Sequence, residues 1–207
     1  MQSLVNARKI ANYIRTLTDL DWEESEYTRY QHMGAVLSDA GLQSGLNYRT
    51  VVYPRIDKVL RCWPEADTTS KFLQTSSKWG LDYMLNWSHP EKPRRILDMA
   101  SFLVNQGIET EAELKTWLNS FKNRTFIQQV KGVGPKTVDY LYKLVGGEAI
   151  PIDRHLKNFA SLAGINNSSY SDMEITFRYT ADLLEMNYSA FDKMIWNYMT
   201  NKSSKDC

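Results

Sequence analysis

Apolar residues recur at spacings of three and four along most of this chain, the period of a helix with one buried face. Leu4, Ile10, Ala11, Ile14 and Leu17 form one such stripe and predict a helix over 4–18. A second helix is expected around Tyr30–Ser38, with Met33, Val36 and Leu37 inward, broken by Ala40-Gly-Leu-Gln-Ser-Gly45. The pattern resumes through Val51, Val52, Ile56, Val59 and Leu60 and predicts a helix over Tyr48–Trp63. Pro54 fits that helix only in its first turn or at a kink. Short helices are expected over Ser70–Ser76 and Gly80–Asn86, then a longer one carrying Ile96, Leu97, Ala100, Phe102 and Leu103 up to Gly107. Thr110 starts the next, with Leu114, Trp117 and Leu118 on its apolar side. Two helices, Met173–Glu185 and Phe191–Met199, close the chain before a frayed tail at Lys202–Cys207. Asp21 and Glu24 have the spacing of a capping box. β signals are scarce, so the expected class is all-α.

One stretch departs from plain amphipathic patterning. Phe126–Val138 reads as a helix, a tight Gly132-Val-Gly134 turn and a second helix with Pro135 at its first position, where a missing N–H costs nothing. Val138, Leu141, Tyr142 and Val145 give that helix its apolar face, and Gly146-Gly147 stops it. Lys136 falls in the first turn, where the helix dipole disfavours a charged ammonium. Asp153 follows after a short loop. An amine and a carboxylate in this relation form a nucleophile–carboxylate pair, and a turn of exposed N–H groups is a phosphate site. Taken singly, each residue has a plainer role: Lys136 as a surface lysine, Asp153 as a helix N-cap.

Composition narrows the class. The chain has 207 residues, 43% hydrophobic and 24% charged, which suits one or two compact units. It has no apolar run near the roughly 20 residues that span a bilayer. The first residues lack an apolar signal core, so an intracellular protein is expected. Cys62 and Cys207 make no disulfide framework. The net charge of +1 argues against indiscriminate nucleic-acid binding. Yet Phe121–Ser161 carries seven basic and three acidic residues, while the first thirty residues carry a small acidic excess. Lys92, Arg94 and Arg95 cluster at one helix start, a pattern that reads as a solvated helix face. The six tryptophans, Trp22, Trp63, Trp79, Trp87, Trp117 and Trp196, read mostly as core.

Lys131-Gly-Val-Gly-Pro-Lys-Thr137 followed by Ile152-Asp-Arg-His155 resembles the signature of the helix-hairpin-helix DNA glycosylase superfamily, which includes endonuclease III and the oxidised-guanine glycosylases. The resemblance is strong over 126–160, readable over 33–120 and faint at both ends. It implies two helical lobes, one of 33–144 and one of 1–32 plus 145–207, with the hairpin at the cleft between them. It further implies double-stranded DNA bearing a damaged or mismatched base as partner, a monomer, and no membrane. Lys136 would attack the sugar C1′ and Asp153 would stabilise the transition state. Lys131, Gly132, Val133, Gly134, Thr137 and His155 would meet the DNA, and Gln43 would fill the gap left by an extruded base. The carbonyls of Gln128, Val130 and Val133 would hold a sodium or potassium ion.

Two departures shape the expectation. Endonuclease III ends in four cysteines that hold an iron–sulfur cluster, and here only Cys207 falls in that region, so no cluster and no required cofactor are expected. Arg154 replaces the usual small residue after the aspartate. The resemblance therefore points to a clusterless branch, such as those acting on oxidised guanine, located in the cytoplasm of a prokaryote or the nucleus of a eukaryote. A lysine at 136 favours a glycosylase that is also an abasic-site lyase. The alternatives are a non-catalytic hairpin that binds DNA structure and a monofunctional mismatch or uracil glycosylase.

Overall fold

The computed structural model describes residues 2–20, 22, 29–43, 45–166 and 168–205. The Asp21–Glu24 pair and Cys207 lie outside them. Among the described residues the regular structure is entirely helical, with twelve α-helices, one short π-helix, one 3-10 turn and no strand. The chain forms two compact units, Thr28–Gly147 and one made of both chain ends, Met1–Tyr27 with Glu148–Cys207.

The Thr28–Gly147 unit contains α2 (Met33–Leu42), a π-helix (Tyr48–Val52), α3 (Tyr53–Cys62), α4 (Thr69–Trp79), α5 (Leu81–Leu85) and α6 (Glu91–Asn105). It continues with α7 (Glu111–Leu118), α8 (Phe121–Phe126), a 3-10 turn (Ile127–Gln129) and α9 (Pro135–Leu144). Helix α2 is the centre of this unit: all ten of its residues are buried, and α3, α4, α6 and α9 pack around it. The expected break at Ala40 does not occur, because Gly41 is a packing residue rather than a stop. A Cβ there would come within 2.2 Å of Ile96 Cγ1, so the absent side chain is what lets α2 and α6 approach. Pro54 lies in the first turn of α3, directly after the π-helix, where a missing N–H is tolerated.

Burying α2 on every side also buries Asp39, and its carboxylate must find partners there. Oδ2 accepts the Tyr30 hydroxyl at 2.8 Å and Oδ1 accepts that of Tyr140 at 3.2 Å. The hydroxyls of Tyr30 and Tyr48 lie 3.1 Å apart. Burial pushes the carboxyl from 3.8 up to about 7, and the two tyrosine hydrogen bonds oppose that rise. The cluster joins α2 to α9 and to the π-helix.

The other unit contains α1 (Gln2–Arg15), α10 (Arg154–Leu162), α11 (Tyr170–Leu183) and α12 (Tyr188–Lys205). Its core gathers Ile10, Ile14, Phe159, Phe177, Phe191 and Ile195. Phe159 is flanked by the rings of Tyr13 and Tyr198, at 5.5 and 5.8 Å between centroids. Leu4, placed by periodicity on the buried stripe of α1, is instead exposed, and Ala7 takes the inward position. Helix α12 begins earlier and ends later than its apolar run, since Asn187 accepts the Ala190 N–H at its start. The tryptophans are not mainly core: only Trp63 is buried, and Trp22 and Trp79 are exposed.

Two outcomes are expected. Gly41→Ala gains helix propensity but meets Ile96, and overpacking of this kind dominates, destabilising by about 1–3 kcal/mol. Urea unfolding of Gly41→Ala, Ile96→Ala and the double variant checks this, with strong non-additivity expected for the pair. For Asp39, the folded form keeps a proton between about 4 and 7 that the unfolded chain has lost. The group therefore opposes folding increasingly as pH rises through that window. Wild type is expected to lose stability relative to Asp39→Asn between pH 5 and pH 7, measured by urea unfolding in ~0.5-unit steps.

Candidate active site

The hairpin is built from short elements in the Thr28–Gly147 unit. Helix α8 passes into the 3-10 turn, the chain then reverses over 130–134, and α9 starts at Pro135 with Gly134 as its N-cap. Ile127, Val130 and Val133 are buried and anchor the turn from inside. Gly132 has φ +84, a conformation that suits glycine. A Cβ there would also meet the Arg95 guanidinium, its Nε at 2.4 Å. Glycine is required twice over: for the turn and for the arginine beneath it.

The turn leaves specific groups available. Val133 donates its N–H to the Val130 carbonyl at 2.9 Å, so that donor is directed inward. The N–H groups of Gly132 and Gly134 make no such bond among the described residues. The Gly134 carbonyl closes the first turn of α9 by accepting from Thr137 and Val138. No turn hydrogen bond uses the carbonyls of Gln128 and Val133, while that of Val130 retains one lone pair. The Gln128 side chain donates to the Arg124 carbonyl at 3.0 Å. These backbone oxygens are the hard donors that a monovalent cation takes. No group of three or more His, Cys, Asp or Glu side chains among the described residues is placed to hold a metal.

Lys136 occupies the second position of α9 and is half-buried. Its neighbours include Lys92, whose ammonium is pushed down to about 8 by burial and by the charges of Arg95 and Lys136. Lys92 donates to the Leu42 carbonyl at 2.8 Å, which ties the start of α6 to the end of α2, next to Gln43. Gln43 is half-buried at the α2 C-cap. Arg95 is half-buried beneath Gly132, its buried Nε without a hydrogen-bond partner among the described residues. The basic start of α6 is thus no simple solvated face: Arg94 is exposed, but Lys92 and Arg95 turn inward toward the hairpin. The spacing of three between these two residues puts them on one helical face, and that was the signal to read.

The charge counted on the hairpin itself is also redistributed. Arg124 donates to the Leu118 carbonyl, stacks on Tyr142 at 4.1 Å and lies 3.9 Å from Asp139. Lys143 is buried. The cations presented around the turn are therefore Lys131, Lys136, Lys92 and Arg95, two of them from α6.

Asp153 belongs to the other unit. Ile150 and Ile152 are buried and pin the loop before it, and the Ile152 N–H donates to the Tyr170 hydroxyl at 3.3 Å. Asp153 caps α10: its Oδ1 accepts the N–H groups of His155 at 2.8 Å and Leu156 at 3.0 Å. One oxygen thus takes both cap bonds, and Oδ2 has no hydrogen bond to a described residue. The cap fixes the carboxylate without consuming it. His155 packs its ring edge-on to Trp196 at 6.2 Å, and Arg154 is exposed.

No family model and no curated protein sequence matches the chain. Among solved structures, it is similar to the H. pylori 3-methyladenine DNA glycosylase (MagIII) bound to 1,N6-ethenoadenine. The two share a TM-score of 0.54 and 14% identity over 99% of this chain and 98% of that one. At this identity the likeness is one of fold: the two chains share the all-helical architecture described above.

The cap assigns Asp153 a structural energy that can be separated from any chemistry. Asp153→Ala is expected to lower stability by about 1 kcal/mol, and Asp153→Asn, an equally good cap, by a few tenths at most. Thermal unfolding at neutral pH measures the difference.

Proposed function

We propose that this protein is a DNA base-excision repair glycosylase that is also an abasic-site lyase, with Lys136 as nucleophile and Asp153 as the stabilising carboxylate. The observation that carries the reading is Lys136 itself: an amine in the first turn of the second hairpin helix, half-buried beside Lys92 and Arg95. The fold shared with a DNA glycosylase supports the class of substrate. The N–H groups of Gly132 and Gly134, with Lys131 and Thr137, would hold a backbone phosphate, as would His155 on the other unit. Gln43 would fill the space of the extruded base. The carbonyls of Gln128, Val130 and Val133 would hold a sodium or potassium ion, whose charge would draw the phosphate toward the turn.

The target nucleotide must leave the stack before its C1′ can be reached. Neutral Lys136 attacks C1′, the C1′–N bond breaks, and its electron pair leaves with the base, which takes up a proton. Asp153 Oδ2 stabilises the positive charge developing on the sugar. Opening of the sugar ring gives a Schiff base between Nζ and C1′. Loss of a C2′ proton then expels the 3′ phosphate, and hydrolysis regenerates the amine.

A second reading has its own support. Four cations gathered around one turn suit a phosphate as well as a nucleophile, and Asp153 with one available oxygen is equipped to activate water. In that case the protein is a monofunctional glycosylase, and Lys136 positions DNA.

Borohydride trapping on abasic-site DNA separates these. A covalent complex is expected with wild type, none with Lys136→Gln, and a rate at least about 100-fold lower with Asp153→Asn. Base release without trapping or strand cutting would replace the lyase reading with the monofunctional one. An unaltered reaction in Lys136→Gln would sink the assignment of that residue. The DNA panel should carry oxidised guanine, oxidised pyrimidine, uracil and thymine mismatches, and an alkylated or etheno-adenine.

A further inference from the structure

The face made by α3, α4 and α5 carries an aromatic pair outside the proposed catalytic machinery. Trp79 is the last residue of α4, the chain reverses at Gly80 with φ +80, and Tyr83 follows on α5. The two rings lie 6.4 Å apart, only 21° from parallel. They are 48% and 59% exposed, so packing within the unit does not account for them. Tyr83 rests edge-on against Trp63, which is 5% exposed and fixes the pair from beneath.

Cations are set among these rings. Lys58 Nζ lies 4.8 Å from the Tyr83 centroid and 5.4 Å from that of Trp63, and donates to the Tyr83 carbonyl at 2.7 Å. Lys78 Nζ lies 5.4 Å from the Trp79 centroid. Beyond α5, Arg55 stacks over Trp87 at 5.3 Å and donates to the Asn86 carbonyl. The nearby carboxylates are Asp57, paired with Arg61, and Asp82, which is exposed. A protein-docking face has an apolar centre and a polar rim, whereas here the charge is inside the aromatic patch. Flat exposed rings interleaved with ammonium groups complement a polymer of flat bases and phosphates. The chain also runs directly from this patch into α6, whose first turns hold Lys92 and Arg95.

We propose that Trp79 and Tyr83, with Lys58 and Lys78, form a stacking site for the bases of an unpaired DNA strand, separate from the hairpin. The choice of DNA rests on the function proposed above. The site would hold single-stranded DNA flanking a lesion, and sequence preference would be weak because every base has a π face.

The test uses the full chain and a fluorescein-labelled oligodeoxythymidylate of about 20 nucleotides, long enough for a site of this kind, with a fully paired duplex as control. In anisotropy titrations Trp79→Ala/Tyr83→Ala is expected to weaken oligodeoxythymidylate binding about tenfold or more, and Trp79→Phe/Tyr83→Phe to stay within about threefold of wild type. Duplex binding should not change, and the alanine variant should keep a cooperative thermal transition, lowered only by the lost Tyr83–Trp63 ring contact. Equal affinity of wild type and the alanine variant for the single strand overturns the proposal, and is what a protein-docking face would give. An equal loss on single strand and duplex overturns it too. If borohydride trapping fails while the single-strand loss is seen, the lyase reading falls and this site stands.

Discussion

The complete burial of α2 is the constraint from which most of the Thr28–Gly147 unit follows. A helix surrounded on all sides must be apolar nearly all round, or satisfy each polar group it carries. It must also leave room for its neighbours, and Gly34 and Gly41 do so against Phe72 and Ile96. Its one carboxylate, Asp39, becomes a junction, because the hydroxyls that satisfy it come from Tyr30 before α2 and from Tyr140 on the second hairpin helix. The hairpin is therefore held by a polar contact in addition to packing. The end of the same helix is held by Lys92 through the Leu42 carbonyl. Both ends of the proposed DNA-contacting apparatus in this unit, the Gln43 loop and the hairpin, trace back to one buried element.

The same economy governs the charge. A protein with a net charge of +1 has no general attraction for a polyanion, so its cations must be concentrated. The hairpin segment looks basic by count, but Arg124 and Lys143 are used internally. Helix α6 replaces them with Lys92 and Arg95. Burial at this crowded place, and then the charges of Arg95 and Lys136, depress Lys92. The crowding also makes an anion between these cations a natural occupant.

The all-helical class was legible in the sequence because the helical period is strong over most of the chain, and the hairpin was legible because Gly, Pro and Lys at fixed spacing have few other uses. Asp153 as a cap was legible too, as a residue type before an apolar run. Other features depended on tertiary contacts that no local rule encodes. Gly41 reads as a helix stop until Ile96 is known to lie against it. Lys92 and Arg95 read as a solvated face until the hairpin turn is placed over Arg95. Asp39 left a trace that can be recognised afterwards: a lone acid within Val36-Leu-Ser-Asp-Ala-Gly-Leu42, where amphipathic spacing gives way to a continuous apolar run. The tryptophans depart from the core positions that size and hydrophobicity argue for, because a ring can also be left outside for recognition.

Asp153 shows how one residue meets a structural demand in a way compatible with the chemical one proposed for it. A carboxylate needed for transition-state charge must be fixed in position, since a mobile one loses part of its electrostatic effect to reorganisation. Direct contacts to both oxygens would fix it but would also occupy the lone pairs it needs. The α10 cap avoids that conflict by directing the N–H groups of His155 and Leu156 to Oδ1 alone. The two buried isoleucines before it and the Tyr170 hydroxyl on Ile152 hold the backbone from the other side. An asparagine would preserve this geometry but remove the charge; an alanine would remove both. The helix start at Arg154 therefore contributes to the proposed site chiefly through what it does to the residue before it.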